Sequence, residues 1–138
     1  MSQDLTSLLE SARTIAVVGA SSKVDRPSYG VMSRLLAVGY KVIPVNPAET
    51  EVLGQKAVAT LLDIKEPVDI VDVFRKSQDT PQIADQAIAI GARCLWLQLG
   101  VVNAEARAKA EKAGLIYVED LCLAVEHSLL VRKKGPLS

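Results

Sequence analysis

The stretch Gly19-Ala20-Ser21-Ser22-Lys23-Val24-Asp25-Arg26-Pro27-Ser28-Tyr29-Gly30 carries the residue types that hold an anion. It follows the β-branched run Thr14-Ile15-Ala16-Val17-Val18 and leads into a helical pattern. Gly19 permits a tight turn and a close backbone approach. The small Ala20, Ser21 and Ser22 are expected to leave amides and hydroxyls free. The helix that follows aims its N-terminal N–H groups and the positive end of its dipole at the same space. Lys23 and Arg26 add full positive charges. Such a loop can cradle a phosphate or a pyrophosphate. It is not the G-x-G-x-x-G fingerprint, because Ser21 stands where the second glycine would be. Nor is it a Walker A loop, because the sequence has no Gly-Lys-Ser/Thr. An ordinary strand-to-helix loop with solvated charges is the competing reading.

Other apolar runs end in Asn46-Pro47, Phe74-Arg75, Gln98-Leu99-Gly100 and Glu119-Asp120. A domain that selects NAD places an acid at the end of its second strand to accept the ribose hydroxyls. Here Val45-Asn46-Pro47 offers none, and Glu49 is assigned to the next turn. NADP stays open, although no close arginine pair follows Asn46 and Lys56 stands far along. Phe74 either lies against an adenine or closes the core. Arg75 either meets a phosphate or pairs with Asp72 or Asp79. Gln98 can both donate and accept, and Gly100 would let a backbone pass close to a ligand. A plain strand-to-loop turn is the alternative there.

The remaining reactive side chains point to packing. Cys122 is expected in the first turn of the last helix, where the dipole lowers a thiol pKa; packing is favoured over a redox or ligand-facing role. Cys94 and Trp96 read as core, and the lone His127 as structural or exposed. Asp69 and Asp72 read as solvated or hydrogen-bonded strand ends. No carboxylate pair, metal-ligand spacing or Ser-His-Asp order stands out, so no catalytic residue and no metal ligand is assigned.

The elements that must position these residues alternate strictly. Apolar β-branched runs lie at residues 14–18, 41–45, 69–73, 93–97 and 115–118, nearly continuous as in strands covered on both faces. Helical patterns fill the gaps. One runs from Ser28 to Val38, with Val31, Leu35 and Val38 on one face and Gly39 as its stop. One starts at Thr80-Pro81 and stops at Gly91, with Ile83, Ala87 and Ile88 as its stripe. One follows Asn103 and stops at Gly114, with Ala106, Ala110 and Ala113 inward. Thr60 to Ile64 reads as a single helical turn, Leu5 to Leu9 as an opening helix, and Asp120 as the N-cap of a last helix over 121–131. This pattern predicts an α/β fold: a single Rossmann-like, doubly wound domain with a five-stranded parallel sheet in the order 3-2-1-4-5 and helices on both faces. The domain is expected over residues 1–131, with a polar C-terminal tail at 132–138.

Composition narrows the function class. A chain of 138 residues has room for one domain. Sixteen Lys+Arg balance sixteen Asp+Glu, which argues against a nucleic-acid binder that needs a basic excess. Two cysteines are too few for a disulfide scaffold. No apolar stretch reaches the length of a membrane span, and the N-terminus does not read as a signal peptide. A cytoplasmic protein is expected.

Taken together, several motifs resemble a known family. They are Val17-Val18-Gly19-Ala20-Ser21, Arg26-Pro27-Ser28-Tyr29-Gly30-Val31-Met32, Val42-Ile43-Pro44-Val45-Asn46-Pro47, Val71-Asp72-Val73-Phe74-Arg75, Leu97-Gln98-Leu99-Gly100-Val101 and Asp120-Leu121-Cys122. In this order and spacing they resemble the single-domain bacterial CoA-binding proteins (YccU-like). These in turn are similar to the CoA-binding domain that opens the succinyl-CoA synthetase alpha subunit. The match runs from about Leu8 to Glu126. It implies a Rossmann-type fold that binds coenzyme A or an acyl-CoA at the strand carboxyl ends. The loop Gly19 to Ser22 and Arg26 would hold phosphates. Asn46-Pro47, Phe74-Arg75 and Gln98-Gly100 would line the nucleotide and pantetheine path. The family often has Asp-Arg-Cys-Pro at the start of the last helix, then a Glu. Here the segment reads Asp120-Leu121-Cys122-Leu123, with Glu126 kept. The synthetase's phosphorylated histidine belongs to a separate domain, so His127 is not expected to inherit that role.

The expected function is binding of coenzyme A or an acyl-CoA without catalysis of its own, with no nucleic acid, no membrane and no identified protein partner. The alternative is an NADP-linked or acyl-CoA ligase-related enzyme component that needs a partner subunit. A third reading is a regulatory module in which Cys122 forms a mixed disulfide with coenzyme A.

Overall fold

The five apolar runs form one parallel sheet in the computed structural model, which describes residues 2–131 and side chains from Leu5 onward. The expected polar tail, 132–138, lies outside the described residues. The central strands are β1 (Thr14–Val18), β2 (Lys41–Val45), β5 (Ile70–Val73), β6 (Cys94–Leu97) and β7 (Ile116–Val118). A two-stranded antiparallel hairpin, β3 (Glu51–Val52) and β4 (Gln55–Lys56), stands apart from the sheet. β1, β5 and β6 are buried along their whole length, which is why their sequences carry no polar alternation.

Alternate residues of each strand feed two cores. Ile15, Val17, Ile70, Cys94 and Trp96 pack under α1 (Ser2–Ser11), α2 (Pro27–Ala37) and α5 (Leu123–Leu130). Ala16, Val18, Val71, Val73, Leu95 and Leu97 pack under α3 (Thr80–Ala89) and α4 (Ala104–Lys112). The sandwich of helices on both faces, read from the sequence, is therefore present. So is the single helical turn after Thr60, a 3-10 turn at Leu61–Asp63 in which Thr60 and Asp63 cap each other.

The strand order differs from the expected 3-2-1-4-5. The sheet runs β2-β1-β5-β6-β7, or 2-1-3-4-5 when the five are counted along the chain. After β2 the chain crosses to the other side of β1 instead of continuing outward. Pro44 gives the physical reason. It sits inside β2, and its ring removes the N–H that a further strand would need, so β2 is suited to an edge. Among the described residues the edge is closed by Val58 alone: it donates its N–H to the Pro44 carbonyl at 3.0 Å, and Asn46 donates to the Val58 carbonyl at 2.9 Å. The topological switch point thus falls between β1 and β5, where Phe74 donates its N–H to Val18 at 2.8 Å.

Three local readings also change. Val38 and Ala113 are exposed, because each is the residue at which its helix ends. Asp120 does not cap the last helix. Its backbone has φ +58°, and its carboxylate accepts the Gly100 N–H at 2.7 Å. Cys122 takes the N-cap position of α5. Asp72 is neither solvated nor hydrogen-bonded: it is fully buried in β5, and neither carboxylate oxygen has a partner among the described residues.

Candidate functional site

The carboxyl ends of β1, β5 and β6 and the starts of α2 and α5 surround one cleft of about 610 Å³. Gly19 ends β1 with φ +87°, and a Cβ there would collide with the Phe74 carbonyl oxygen and press on the Arg75 side chain. Only glycine lets the first loop lie this close to the end of β5. The glycine read from the sequence as a close-approach residue is therefore needed by the protein's own backbone.

The amides of Ser21, Ser22 and Lys23 are not free, contrary to expectation. Ser21 donates its N–H to Ser28 Oγ at 3.2 Å, and Lys23 donates to Ser21 Oγ at 3.1 Å. Ser22 gives both its N–H (2.9 Å) and its hydroxyl (3.1 Å) to the Glu49 carboxylate. Glu49, assigned to a separate turn, is thus the acid that reaches the loop. Asn46 ties the second loop to the first. Its Nδ2 donates to the Ala20 carbonyl and its Oδ1 accepts from Ala48, both at 2.8 Å. These contacts make residues 21–23 a tied-down turn rather than an open nest of donors.

What remains open to an anion lies beside the loop, at the start of α2. Arg26 takes its N-cap position without a side-chain capping hydrogen bond, and Pro27 occupies the first turn. The positive end of an eleven-residue helix therefore faces the cleft uncapped. Arg26, Arg75 and Lys76 line the same mouth, and no carboxylate lines it with them. Arg75 is paired with Asp79 at 2.9 Å, an exposed contact that a ligand phosphate can replace at small cost. The reading of Arg75 as a partner of Asp79 holds, and the residue also walls the cleft.

The cleft also has apolar walls, with Val31, Phe74 and Val101 and, at its exposed edge, Leu99. Phe74 packs against the core and lines the cleft as well, so the two roles read for it are not exclusive. Leu99 is 65% exposed. The inner end is formed by Gln98 and Cys122. A second hollow of about 250 Å³ opens on the other side of Arg75, between Pro47, Val45, Ile83 and Gln86.

Of the residues singled out in the sequence, the main cleft brings together Gly19, Ser21, Arg26, Ser28, Phe74, Arg75, Gln98 and Leu99. Pro47 belongs to the second hollow. Ala20 is buried, Tyr29 is half-buried, and Asn46 holds loops together. Ser22 and Lys23 lie in the turn held by Glu49, and Gly100 is tied to Asp120. Sequence reasoning missed Pro27, Val31, Lys76 and Val101. Val31 was legible, since it stands one helical turn after Ser28 on the face turned to the sheet. Lys76 and Val101 simply continue segments already marked.

His127 lies away from this cleft, half-buried and edge-on to Tyr40 at 5.5 Å, and burial holds its pKa below the usual value. Burial also pushes the Tyr40 hydroxyl up to about 12. Cys94 is buried, and burial first, then the nearby Asp72, raises its thiol pKa. Among the described residues no group of three or more His, Cys, Asp or Glu is placed to hold a metal ion, and no helix is long and apolar enough to cross a membrane.

Comparison with known proteins bears on this cleft. The profile of a family described as "CoA binding domain" matches residues 13–128. The uncharacterized protein YneT of Bacillus subtilis is 40% identical over 126 residues, 91% of this chain and 93% of that protein. A hypothetical protein from Pyrococcus horikoshii has a solved structure with TM-score 0.92 and 42% identity, covering 95% of this chain and 92% of that one. The alpha subunit of an ADP-forming acetate–CoA ligase of Pyrococcus furiosus is 31% identical over 80 residues, 54% of this chain but 17% of the subunit.

Proposed function

The chain belongs to the CoA-binding domain family, and from that membership we propose that it binds coenzyme A or an acyl-CoA itself, in the cleft at the switch point. One observation carries the reading. A single cleft joins an uncapped helix N-terminus and three cationic side chains at its mouth to an apolar interior. Coenzyme A has a matching division: a phosphate-rich nucleotide at one end and a slim, uncharged arm at the other.

In this proposal Arg26, Lys76 and the first turn of α2 meet the phosphates. Charge-assisted hydrogen bonds there are the strongest available contacts. The pantetheine arm lies along Val31, Phe74, Leu99 and Val101, and the adenine reaches the hollow beside Pro47. Arg75, which walls both spaces, stands where the two parts join. The Glu49 carboxylate holds Ser22 and leaves the cationic mouth to α2 and its neighbours. Asn46 and Glu49 are positioning residues in this scheme, and the first loop acts as a wall.

Calorimetric titration of the purified protein with coenzyme A, NAD and NADP tests the proposal. Saturable heat with coenzyme A and none with the two dinucleotides is expected. Heat with NAD and none with coenzyme A refutes it.

The match to part of an ADP-forming acetate–CoA ligase subunit supports a second reading, in which the bound acyl-CoA serves a partner subunit. Co-purification followed by an assay for acyl-CoA synthesis separates the two. A stable partner with that activity favours the second reading, and a lone protein favours the first.

A further inference from the structure

The inner end of the cleft holds one donor that the fold itself does not use. Gln98 is 5% exposed, and its Oε1 accepts the Leu123 N–H, the first of α5, at 3.0 Å. An N–H can be met only by the oxygen of a carboxamide, so this contact fixes which way the group faces. The amide nitrogen is left toward the cleft, and among the described residues it has no hydrogen-bond partner. The nitrogen is not fully enclosed, as the two Asp72 oxygens are, so it stands open to the cleft as a donor that a ligand can take up. Val31, Val101 and Cys122 line the cleft with it, and none brings a strong side-chain acceptor or a charge. The complementary group is a neutral carbonyl oxygen carried on a slim apolar chain. The cations of the cleft, Arg26, Arg75 and Lys76, are exposed, whereas Gln98 is nearly buried.

On the footing of the coenzyme A reading, we propose that the ligand is an acyl thioester of coenzyme A, with the Gln98 amide nitrogen donating to the acyl carbonyl oxygen. A short acyl group then lies against Val31 and Val101. Free coenzyme A ends in a thiol, which is a poor acceptor and leaves the donor unmet. The pantetheine arm also carries amide carbonyls, so the same chemistry has two sources, and the test must part them.

The test is titration calorimetry with coenzyme A and acetyl-CoA on the wild-type protein and on Gln98→Glu. That substitution keeps an oxygen for the Leu123 N–H and removes the donor. Wild-type protein is expected to bind acetyl-CoA about five- to tenfold more tightly than coenzyme A, the worth of one hydrogen bond. In Gln98→Glu that preference is expected to vanish. Thermal unfolding reports whether the variant folds, and Val101→Phe, which fills the acyl space, gives a second route to the same loss of preference. Equal wild-type affinities overturn the proposal. So does a preference that survives in both variants. An equal loss for both ligands in Gln98→Glu assigns the donor to a pantetheine carbonyl instead. If neither ligand binds wild-type protein, the coenzyme A reading itself falls.

Discussion

Raising the pH from 5 to 7 is expected to weaken the fold through Asp72, with a ceiling of about 1.4 kcal/mol per pH unit set by the release of one proton. Asp72 stands in the middle of β5, in register with Val17 of β1 and Trp96 of β6, one step below Phe74 and the floor of the cleft. It is fully buried and neither oxygen has a hydrogen-bond partner among the described residues. Burial raises its pKa well above the ordinary 3.8. The folded chain therefore keeps this proton, whereas the unfolded chain releases it near pH 4. Between 3.8 and the raised folded value the native state binds more protons, so stability falls as pH rises, by at most about 1.4 kcal/mol per unit. The contribution is full below the unfolded pKa and is lost as pH climbs through the folded one. Asp69 has the opposite sign. Burial works against its charge, but the Arg13 and Thr14 amides and the Arg93 guanidinium outweigh it and lower its pKa. Its contribution is present above the usual carboxylate range and is lost on acidification. Urea unfolding at pH 5, 6 and 7 on wild type and Asp72→Asn isolates the Asp72 effect, because other groups cancel in the difference. The variant should gain on the wild type as the pH rises, by at most about 1.4 kcal/mol per unit. Asp72→Val, which also removes the unmet polar atoms, should be more stable than wild type at pH 7 by at least about 2 kcal/mol. Parallel stability curves for wild type and Asp72→Asn between pH 5 and 7 would refute the reasoning.

Arg26→Ala is expected to weaken coenzyme A binding by about 1.5–3 kcal/mol with thermal stability unchanged, because the side chain is exposed and carries a phosphate contact rather than the fold. Calorimetry reads this directly, and an unaltered affinity moves Arg26 off the site. Gly19→Ala combines a positive φ with a collision against the Phe74 carbonyl and should cost about 2–4 kcal/mol by urea unfolding. Gly39→Ala shares the positive φ but meets nothing within 4 Å, so it should cost only about 1 kcal/mol. Equal losses at the two positions would contradict the close approach at Gly19.

Much of the architecture was legible because it rests on local pattern. Continuous β-branched runs demand cover on both faces, and the helices between them carry their own starts and stops. The residue types that face the cleft were legible too, since ligands gather where strands end. Strand order was not, although one clue was present. Pro44 marks β2 as an edge, but its meaning depends on which neighbour needs the missing N–H. The state of the first loop was hidden for a related reason. Ser22 meets Glu49 across 27 positions, and Asn46 meets Ala20 across 26, so the turn is satisfied by residues that only folding brings near. Asp72 reads like any polar residue near a strand end until β1 and β6 close on either side of it. Local sequence determined which elements form and which ends they expose. Only the tertiary structure decided which donors and charges stay free, because that depends on partners far apart along the chain.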